Sequence, residues 1–215
     1  MYKKKPFLIV FEGVEGCGKS YQSQKLIRSL KKKGINPILT REPGGTRSAE
    51  SIRTLILKDY FNKGKEEKFD KYTDTLLYLA ARNEHIKNKI EPALKRKKVV
   101  ICDRFIDSTI AYQVYGKKVN RSFIDNIHKF ILQGIKPNLV FILKVSSKSS
   151  KLRLKKRKTK NRYDNFSQSF YTKAQKSFLK IAKNKKNYFV LDSSLNNTDL
   201  EEKIFKIISK HLKPR

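Results

Sequence analysis

The sequence predicts an α/β fold in which a five-stranded parallel sheet is flanked by helices. Five short apolar runs have the length of strands, and segments with helical patterns lie between them. Continuous apolar runs suit strands that are buried on both faces, as in a parallel sheet. The alternation of strand and helix favours right-handed crossovers within one sheet. The predicted strands are Phe7–Phe11, Pro37–Leu39, Val99–Cys102, Leu139–Leu143 and Tyr188–Leu191.

Helices are predicted between these strands and after the last one. A chain of 215 residues suits one compact domain, and neither an internal repeat nor a Gly/Ser-rich linker divides it. We therefore expect a single domain over residues 1–215, with ligands bound beyond the carboxyl ends of the strands. The predicted helices cover approximately residues 18–33, 47–58, 70–95, 105–115, 120–133, 147–157, 167–185 and 198–212.

The composition is strongly basic, with 51 Lys and Arg against 19 Asp and Glu and a formal net charge of +32. Such a charge is typical of nucleic-acid binders, so an ATP-binding nucleic-acid-binding protein is one alternative function. The lysines, however, are spread along the whole chain, and no basic stretch carries the interleaved aromatic residues of a base-stacking surface. Lys, Asn and Ile have A/T-rich codons, so a biased genome accounts for the charge. We therefore expect small nucleotides as partners, and no nucleic acid.

Nothing in the sequence indicates a membrane or secretory segment. No stretch approaches the roughly 20 apolar residues of a membrane span, and the N-terminal residues lack the features of a secretory signal. We therefore expect a cytoplasmic protein without membrane contact. Its two cysteines, Cys17 and Cys102, are then expected to be reduced and partly buried. Cys17, beside Lys19 and a predicted helix N-terminus, is also a candidate reactive thiol.

A phosphate-binding loop follows the first predicted strand. Residues 13–20 read GVEGCGKS, the complete G-x-x-x-x-G-K-[ST] motif between a strand and a helix. In this motif backbone N–H groups and the helix dipole bind phosphate oxygens, the lysine reaches the β- and γ-phosphates, and the hydroxyl ligates Mg²⁺. The motif predicts a P-loop NTPase fold with ATP as phosphoryl donor and Mg²⁺ as cofactor. The expected ATP-binding residues are Gly13, Val14, Glu15, Gly16, Cys17, Gly18, Lys19 and Ser20.

An acidic and a basic residue close the predicted strand Val99–Cys102. Asp103 stands where P-loop proteins place the carboxylate that orients Mg²⁺, usually through water. A helix N-cap is the alternative role for this residue. Arg104 is placed to clamp a phosphate with its guanidinium. We therefore expect Ser20 and Asp103 at the metal, and Lys19 and Arg104 in catalysis.

Three further motifs indicate the acceptor. REPGGT occupies residues 41–46, LLYLAAR residues 76–82 and DRFIDSTIAYQ residues 103–113. Together with the phosphate loop, they resemble the bacterial thymidylate kinase family from Phe7 to about Leu191. The resemblance implies transfer of the γ-phosphoryl group of ATP to dTMP, giving dTDP and ADP, in dTTP biosynthesis. Another nucleotide or nucleoside kinase is the alternative that a phosphate loop alone leaves open.

The resemblance assigns residues to the sugar and the phosphate of the acceptor. Glu15 would accept a hydrogen bond from the 3′-hydroxyl, a role that explains a carboxylate inside an anion-binding loop. Tyr112 would lie against C2′, where a ribose hydroxyl clashes or loses its partner. Arg53 and Arg104 match the positions that hold the acceptor phosphate. Glu42 is expected near the metal and the phosphates.

The resemblance also assigns residues to the base. Tyr78 and Arg82 are four apart and share one helix face. A ring that stacks on a pyrimidine and a guanidinium that donates to its carbonyl suit thymine, whereas a core tyrosine with a surface arginine is the alternative. Thr109 and Gln113, also four apart, address the base edge in the family.

The basic segment near residues 147–163 resembles the lid of the bacterial branch. There a small residue, here Gly16, follows the acid of the phosphate loop, and the transition-state arginine comes from the lid. Arg153 is the expected arginine finger, an effect worth about 10³–10⁵ in rate in related NTPases. Arg157 is expected on ATP and Arg162 on the substrate. A solvated helix face is the alternative for each of these arginines.

Two expectations concern the helices around the site. The resemblance implies a homodimer through helices near 70–90 and 105–133. The histidines His85, His128 and His211 lie far apart in sequence, without a cluster that suggests zinc. We expect each of them at a surface or hydrogen-bonded helix position.

Overall fold

Five strands form one parallel sheet in the computed structural model, which describes residues 5–57, 69–156, 167–194 and 197–212. The strands lie in the order β2-β3-β1-β4-β5, and every neighbouring pair is parallel. This confirms the predicted five-stranded α/β fold. The strands are β1 (Phe7–Glu12), β2 (Ile38–Arg41), β3 (Val99–Asp103), β4 (Leu139–Lys144) and β5 (Tyr188–Asp192).

The strands end later than the apolar runs that predicted them. Four of them continue one residue further, to Glu12, Asp103, Lys144 and Asp192, and β2 continues two residues, to Arg41. Backbone pairing carries the strands past the core, as in the pairing of Arg41 with Asp103 across β2 and β3. The last residue of every strand is polar: Arg41, Lys144 and Asp192 are exposed and Asp103 is half-buried, whereas Glu12 remains buried. Polar side chains therefore collect along one edge of the sheet.

The helices agree with the predicted ranges, and two of the ranges contain π-helical turns. The predicted helix 70–95 comprises α3, a π-helical turn at Ile86–Ile90 and α4, while the range 105–115 comprises α5 and a π-helical segment at Ile110–Gly116. Asp70, Asn120, Ser146 and Ser167 cap the starts of α3, α6, α7 and α8 with side-chain hydrogen bonds. The helices are α1 (Lys19–Lys32), α2 (Arg47–Leu57), α3 (Lys71–His85), α4 (Glu91–Lys95), α5 (Ile106–Thr109), α6 (Arg121–Leu132), α7 (Ser147–Lys155), α8 (Gln168–Ala182) and α9 (Asn197–Leu212).

The position of β1 determines where a ligand can bind. It lies between β3 and β4, and all six of its residues are buried. Strands β2 and β3 lie on one side of it, and β4 and β5, which follow later in the chain, lie on the other. Ligands in open α/β sheets bind at such a switch point, beyond the carboxyl ends of the strands. The phosphate loop follows β1 directly at this point. Within the described ranges, no helix is both long and apolar enough to span a bilayer.

Candidate active site

A cavity of about 560 Å³ opens at the carboxyl ends of the strands. It brings together nearly all the predicted site residues that lie in the described ranges. Gly13, Val14 and Cys17 are not in its wall, and Arg157 and Arg162 lie outside the described residues. The predicted residues that line it are Glu15, Gly16, Gly18, Lys19, Ser20, Glu42, Arg53, Tyr78, Arg82, Asp103, Arg104, Thr109, Tyr112, Gln113 and Arg153.

The phosphate loop presents the open N-terminus of α1 to this cavity. Gly18 precedes the helix with φ of 92° and makes no side-chain cap, so the first N–H groups of α1 are left for a ligand. The Lys19 ammonium is buried and donates to the carbonyl oxygens of Gly13 (2.9 Å) and Val14 (2.8 Å) and to Cys17 Sγ (3.5 Å). The loop thus holds the lysine beside the place where phosphates would bind. Cys17 and Cys102 are free and buried, as expected from the sequence.

Ser20 and Asp103 meet at the mouth of the loop, where Ser20 Oγ donates to Asp103 Oδ2. The alternative role of Asp103 as a helix N-cap is wrong, because Phe105 is the N-cap residue of α5 and makes no side-chain cap. Among the residues described, no group of three or more His, Cys, Asp or Glu is placed to hold a metal ion. A hard cation at this oxygen pair would complete its shell with phosphate oxygens and water, as Mg²⁺ does.

Arg104, Glu15 and Tyr112 form a buried chain of charged hydrogen bonds. Arg104 Nη2 donates to Glu15 Oε1 and the Tyr112 hydroxyl to Glu15 Oε2, both at 2.6 Å. Arg104 Nη1 also donates to the Gly13 carbonyl (2.9 Å) and to Ser108 Oγ (3.0 Å). Burial alone would raise the pKa of Glu15, but Arg104 and Lys19 lower it below its ordinary value. Glu15 is therefore an ionised acceptor on the cavity wall.

Arg82 is a buried arginine, so the alternative of a surface position is wrong. Its side chain is 3% exposed. Nε donates to Glu42 Oε2 (2.7 Å), Nη2 to the Phe105 carbonyl (2.8 Å), and Nη1 to both Thr109 Oγ1 and His128 Nε2 (2.8 Å each). The Thr109 hydroxyl oxygen, expected at the base edge, is thus engaged by the guanidinium.

Glu42 accepts from Arg82 through one of its carboxylate oxygens, Oε2. Its other carboxylate oxygen, Oε1, lies 3.1 Å from His85 Nδ1, and His85 Nε2 lies 2.6 Å from Thr40 Oγ1. Burial opposes ionisation, but Arg82 and His85 hold the pKa of Glu42 below its usual value. Glu42 lines the same cavity as Ser20 and Asp103, and its backbone N–H donates to the Asp103 carbonyl (2.9 Å). Its place near the metal and the phosphates stays a prediction.

Two further residues expected to contact the base lie on the wall near Arg82. Tyr78 is partly buried one turn before Arg82 on α3. Gln113 is 2% exposed, and its Nε2 has no hydrogen-bond partner among the described residues. A buried amide donor without a partner costs about 1–3 kcal/mol, which a ligand acceptor would recover.

Arg53, on α2, also lines the cavity. Its Nη1 donates to the Pro43 carbonyl at 2.6 Å, and its Nε lies 3.9 Å from the carboxylate of Glu50. Glu50 in turn accepts from Arg41 and from the Gly45 backbone. These contacts hold the Arg53 guanidinium at the cavity beside Arg104.

Helix α7 packs directly on the phosphate loop. Ser150 Oγ donates to the Glu15 carbonyl (2.8 Å), and Arg153 donates to the carbonyls of Gly16 (3.2 Å) and Ser193 (2.7 Å). A Cβ on Gly16 would lie 2.8 Å from the Ser150 carbonyl oxygen. Gly16 therefore allows α7 to come close enough for Arg153 to reach the loop. The alternative of a solvated helix face does not fit Arg153, which is half-buried here.

Sequence reasoning missed Glu12, the last residue of β1. It is fully buried and accepts hydrogen bonds from the backbone N–H groups of Phe105 (2.8 Å) and Ser108 (3.1 Å) and from Ser108 Oγ (2.6 Å). Burial, with the nearby Asp107 carboxylate, raises the pKa of Glu12 to about 7. Glu12 caps the start of α5, beside Arg104, whose φ is 72°. Its only signal in the sequence is an acid that ends an apolar run.

The chain matches known proteins over almost its whole length. The family model described as thymidylate kinase matches residues 11–204. Thymidylate kinase from Wolbachia sp. subsp. Brugia malayi is 40% identical over 94% of each chain, and that from Geobacillus sp. is 41% identical over 80% of each. A crystal structure of thymidylate kinase from Ehrlichia chaffeensis superposes with a TM-score of 0.75 at 32% identity, covering 95% of this chain and 99% of the other. The match extends over the sheet, the phosphate loop and the cavity wall alike, and the chain belongs to the thymidylate kinase family.

Proposed function

We propose that this chain transfers the γ-phosphoryl group of MgATP to the 5′-phosphate of dTMP, giving dTDP and ADP. The observation that carries the proposal is the single cavity described above. It is lined both by the phosphate loop and by the side chains of Arg82 and Gln113. Such a cavity suits a donor phosphate chain and an acceptor nucleotide that meet end to end.

The base end of the cavity offers hydrogen-bond donors. A guanidinium has five N–H bonds, and four of those on Arg82 are taken by partners in the described part of the chain. The fifth N–H and the unpartnered amide of Gln113 suit a base with carbonyl oxygens. Thymine has two such carbonyls, and the ring of Tyr78 would stack on its face.

The middle of the cavity suits a deoxyribose. Glu15 is held ionised, and each of its oxygens has a second lone pair that can accept from a 3′-hydroxyl. Tyr112 is 4% exposed, and burial together with Glu15 keeps the pKa of its phenol well above the ordinary value. A ribose 2′-hydroxyl beside this ring would lose its water partners without gaining an acceptor, which costs roughly 1–3 kcal/mol.

The chemistry needs positioning and charge neutralisation. An oxygen of the acceptor phosphate bonds to the γ-phosphorus as the bond to the bridging oxygen of ADP breaks, and the attacking oxygen is already anionic. Arg53 and Arg104 hold the acceptor phosphate, while Lys19 and Arg153 neutralise charge on the transferred group. Mg²⁺, held by Ser20 and oriented by Asp103, would supply further neutralisation on the ATP phosphates. Arg157 and Arg162 remain predicted phosphate contacts of the lid.

The chain is also proposed to act as a homodimer. Phe130 on α6 is 77% exposed and Leu76 on α3 is 46% exposed. Helices α3 and α6 are in contact, so exposed large apolar side chains on these two neighbouring helices suit a symmetric contact with a second copy. Light scattering of the wild type and of Phe130→Lys tests this proposal, and a wild-type monomer at micromolar concentration contradicts it.

A coupled ADP-release assay tests the proposed reaction. The purified chain with MgATP is given dTMP, dUMP, UMP, dCMP or AMP, with Lys19→Ala as the control for contaminating kinases. We expect turnover with dTMP that falls strongly with UMP and AMP. Equal turnover with AMP would contradict specificity for dTMP. No turnover with dTMP would reject it as the substrate. The second of these outcomes would favour another nucleotide kinase.

A further inference from the structure

Arg82 is anchored by side chains and backbone from separate parts of the fold. Glu42 follows β2, Phe105 and Thr109 belong to the start and end of α5, and His128 comes from α6. All four hydrogen bonds measure 2.7 to 2.8 Å. The direction of the one remaining N–H of Arg82 therefore depends on these anchors.

His128 is the least expected of the anchors. It is 5% exposed, and its Nε2 lies 2.8 Å from Arg82 Nη1. A guanidinium can only donate, so Nε2 must be the unprotonated acceptor and the ring proton belongs on Nδ1. Burial, together with Arg82 and Arg121, lowers the pKa of His128 to about 3, so the ring stays neutral at any ordinary pH.

The two N–H bonds of Arg82 Nη1 have one acceptor each in the described structure. Thr109 takes one and His128 takes the other. An apolar side chain at position 128 would leave a buried N–H of a charged group without an acceptor. The guanidinium would then turn toward a new acceptor, and its fifth N–H would turn with it.

We propose that His128 is a positioning residue that directs the remaining N–H of Arg82 toward a carbonyl of the acceptor base. In this role it favours pyrimidines with a carbonyl at C4 over those with an amino group there. The inference rests on the proposed function, because it requires Arg82 to face the base. His128 acts through Arg82 on the base of dTMP, away from the phosphates. Its substitution should therefore change the binding of dTMP rather than the rate of phosphoryl transfer.

Two substitutions of similar size distinguish the loss of the hydrogen-bond acceptor at position 128 from a change in packing. His128→Gln keeps a hydrogen-bond acceptor, whereas His128→Leu fills the space without one. For each protein, kcat and KM for dTMP, the inhibition constant of dCMP and the melting temperature are measured. We expect His128→Leu to raise KM for dTMP about tenfold with kcat within about twofold, and to narrow the preference for dTMP over dCMP. In His128→Gln, KM for dTMP and the preference for dTMP over dCMP should both stay close to the wild-type values.

The outcomes separate this inference from the proposed function. Absence of wild-type turnover with dTMP would reject the proposed function. Wild-type turnover with dTMP, combined with a His128→Leu variant that keeps the wild-type KM and dCMP preference, would overturn the role of His128 alone. Equal KM changes in the Leu and Gln variants would likewise overturn it, because packing would then be the cause. Should the leucine variant fail to fold, His128→Met takes its place in the same comparison.

Discussion

The contact between Gly16 and α7 can be tested by adding one methyl group. Gly16 has φ of +70°, and a Cβ there would lie 2.8 Å from the Ser150 carbonyl oxygen and 3.2 Å from its Cα, whereas ordinary contact begins at 3.4 Å. Backbone atoms cannot swing aside as a side chain can, so Gly16→Ala must push α7 away by about 0.6 Å. The hydrogen bond from Arg153 to the Gly16 carbonyl, already 3.2 Å long, would then be lost.

The backbone strain should lower the stability of Gly16→Ala, and the displacement of α7 should lower its kcat. A left-handed backbone costs an alanine roughly 1–2 kcal/mol of stability. Displacement of a catalytic group by about 1 Å can cost about 10²-fold in rate, so the smaller shift here should lower kcat by about tenfold. Gly34 is the matched control, because its φ is +74° and a Cβ there meets nothing within 4 Å.

The assays are urea unfolding for stability and coupled ADP release for kcat. We expect Gly16→Ala and Gly34→Ala to lose similar stability from the strained backbone, with a further loss in Gly16→Ala from the contact. Only Gly16→Ala should lose turnover. If both variants keep the wild-type kcat, Gly16 does not place Arg153, and the packing of α7 on the loop has no part in catalysis.

Three other predictions follow from the described contacts. Lys19→Ala should lower kcat by about 10²–10³ with circular dichroism unchanged, because one charged donor to the phosphates is lost; retained turnover contradicts this role. Burial raises the pKa of Glu12 from 4.5 to about 7, so the folded state keeps a proton that the unfolded chain releases. Wild-type stability relative to Glu12→Gln should therefore fall as pH rises from 4.5 to 7, by at most roughly 1.4 kcal/mol per pH unit; urea midpoints whose difference does not change with pH would oppose it. Cys17 and Cys102 are both fully buried, so a thiol reagent at pH 7 should modify them much more slowly in the folded protein than in urea, and rapid labelling of folded protein would contradict the packing.

The sheet and the phosphate loop could be predicted because their signals are local. Each buried strand is a continuous apolar run, and the loop motif occupies eight consecutive residues after such a run. The residues proposed to contact the acceptor nucleotide could be named only from the family resemblance, since Arg53, Tyr78 and Gln113 reach the cavity from separate elements. Their spacing in the sequence does not indicate that they line the same cavity.

The supporting residues could not be predicted because their partners are distant in sequence. Glu12 accepts from Phe105, 93 residues away, and His128 accepts from Arg82, 46 residues away. An acid at the end of an apolar run and a histidine on an amphipathic helix have ordinary interpretations when taken alone. The burial of Arg82 could not be predicted either, because a charged residue on a helix usually faces water.

Three carboxylates near adjacent strand ends have different partners, and this difference supports the proposed metal position at one of them. Glu12, at the end of β1, has its oxygens occupied by N–H and hydroxyl donors of the α5 start. Glu42, just after β2, is neutralised by Arg82 and touches His85. Asp103, at the end of β3, accepts from the Ser20 hydroxyl, which is itself a good magnesium ligand. Mg²⁺ takes oxygen ligands, with one or two carboxylates completed by phosphate and water oxygens, so the Asp103–Ser20 pair supports the proposed metal position. The partners that the fold brings to each acid therefore make Glu12 a helix cap and Glu42 a support for Arg82, and they leave Asp103 as the proposed metal position.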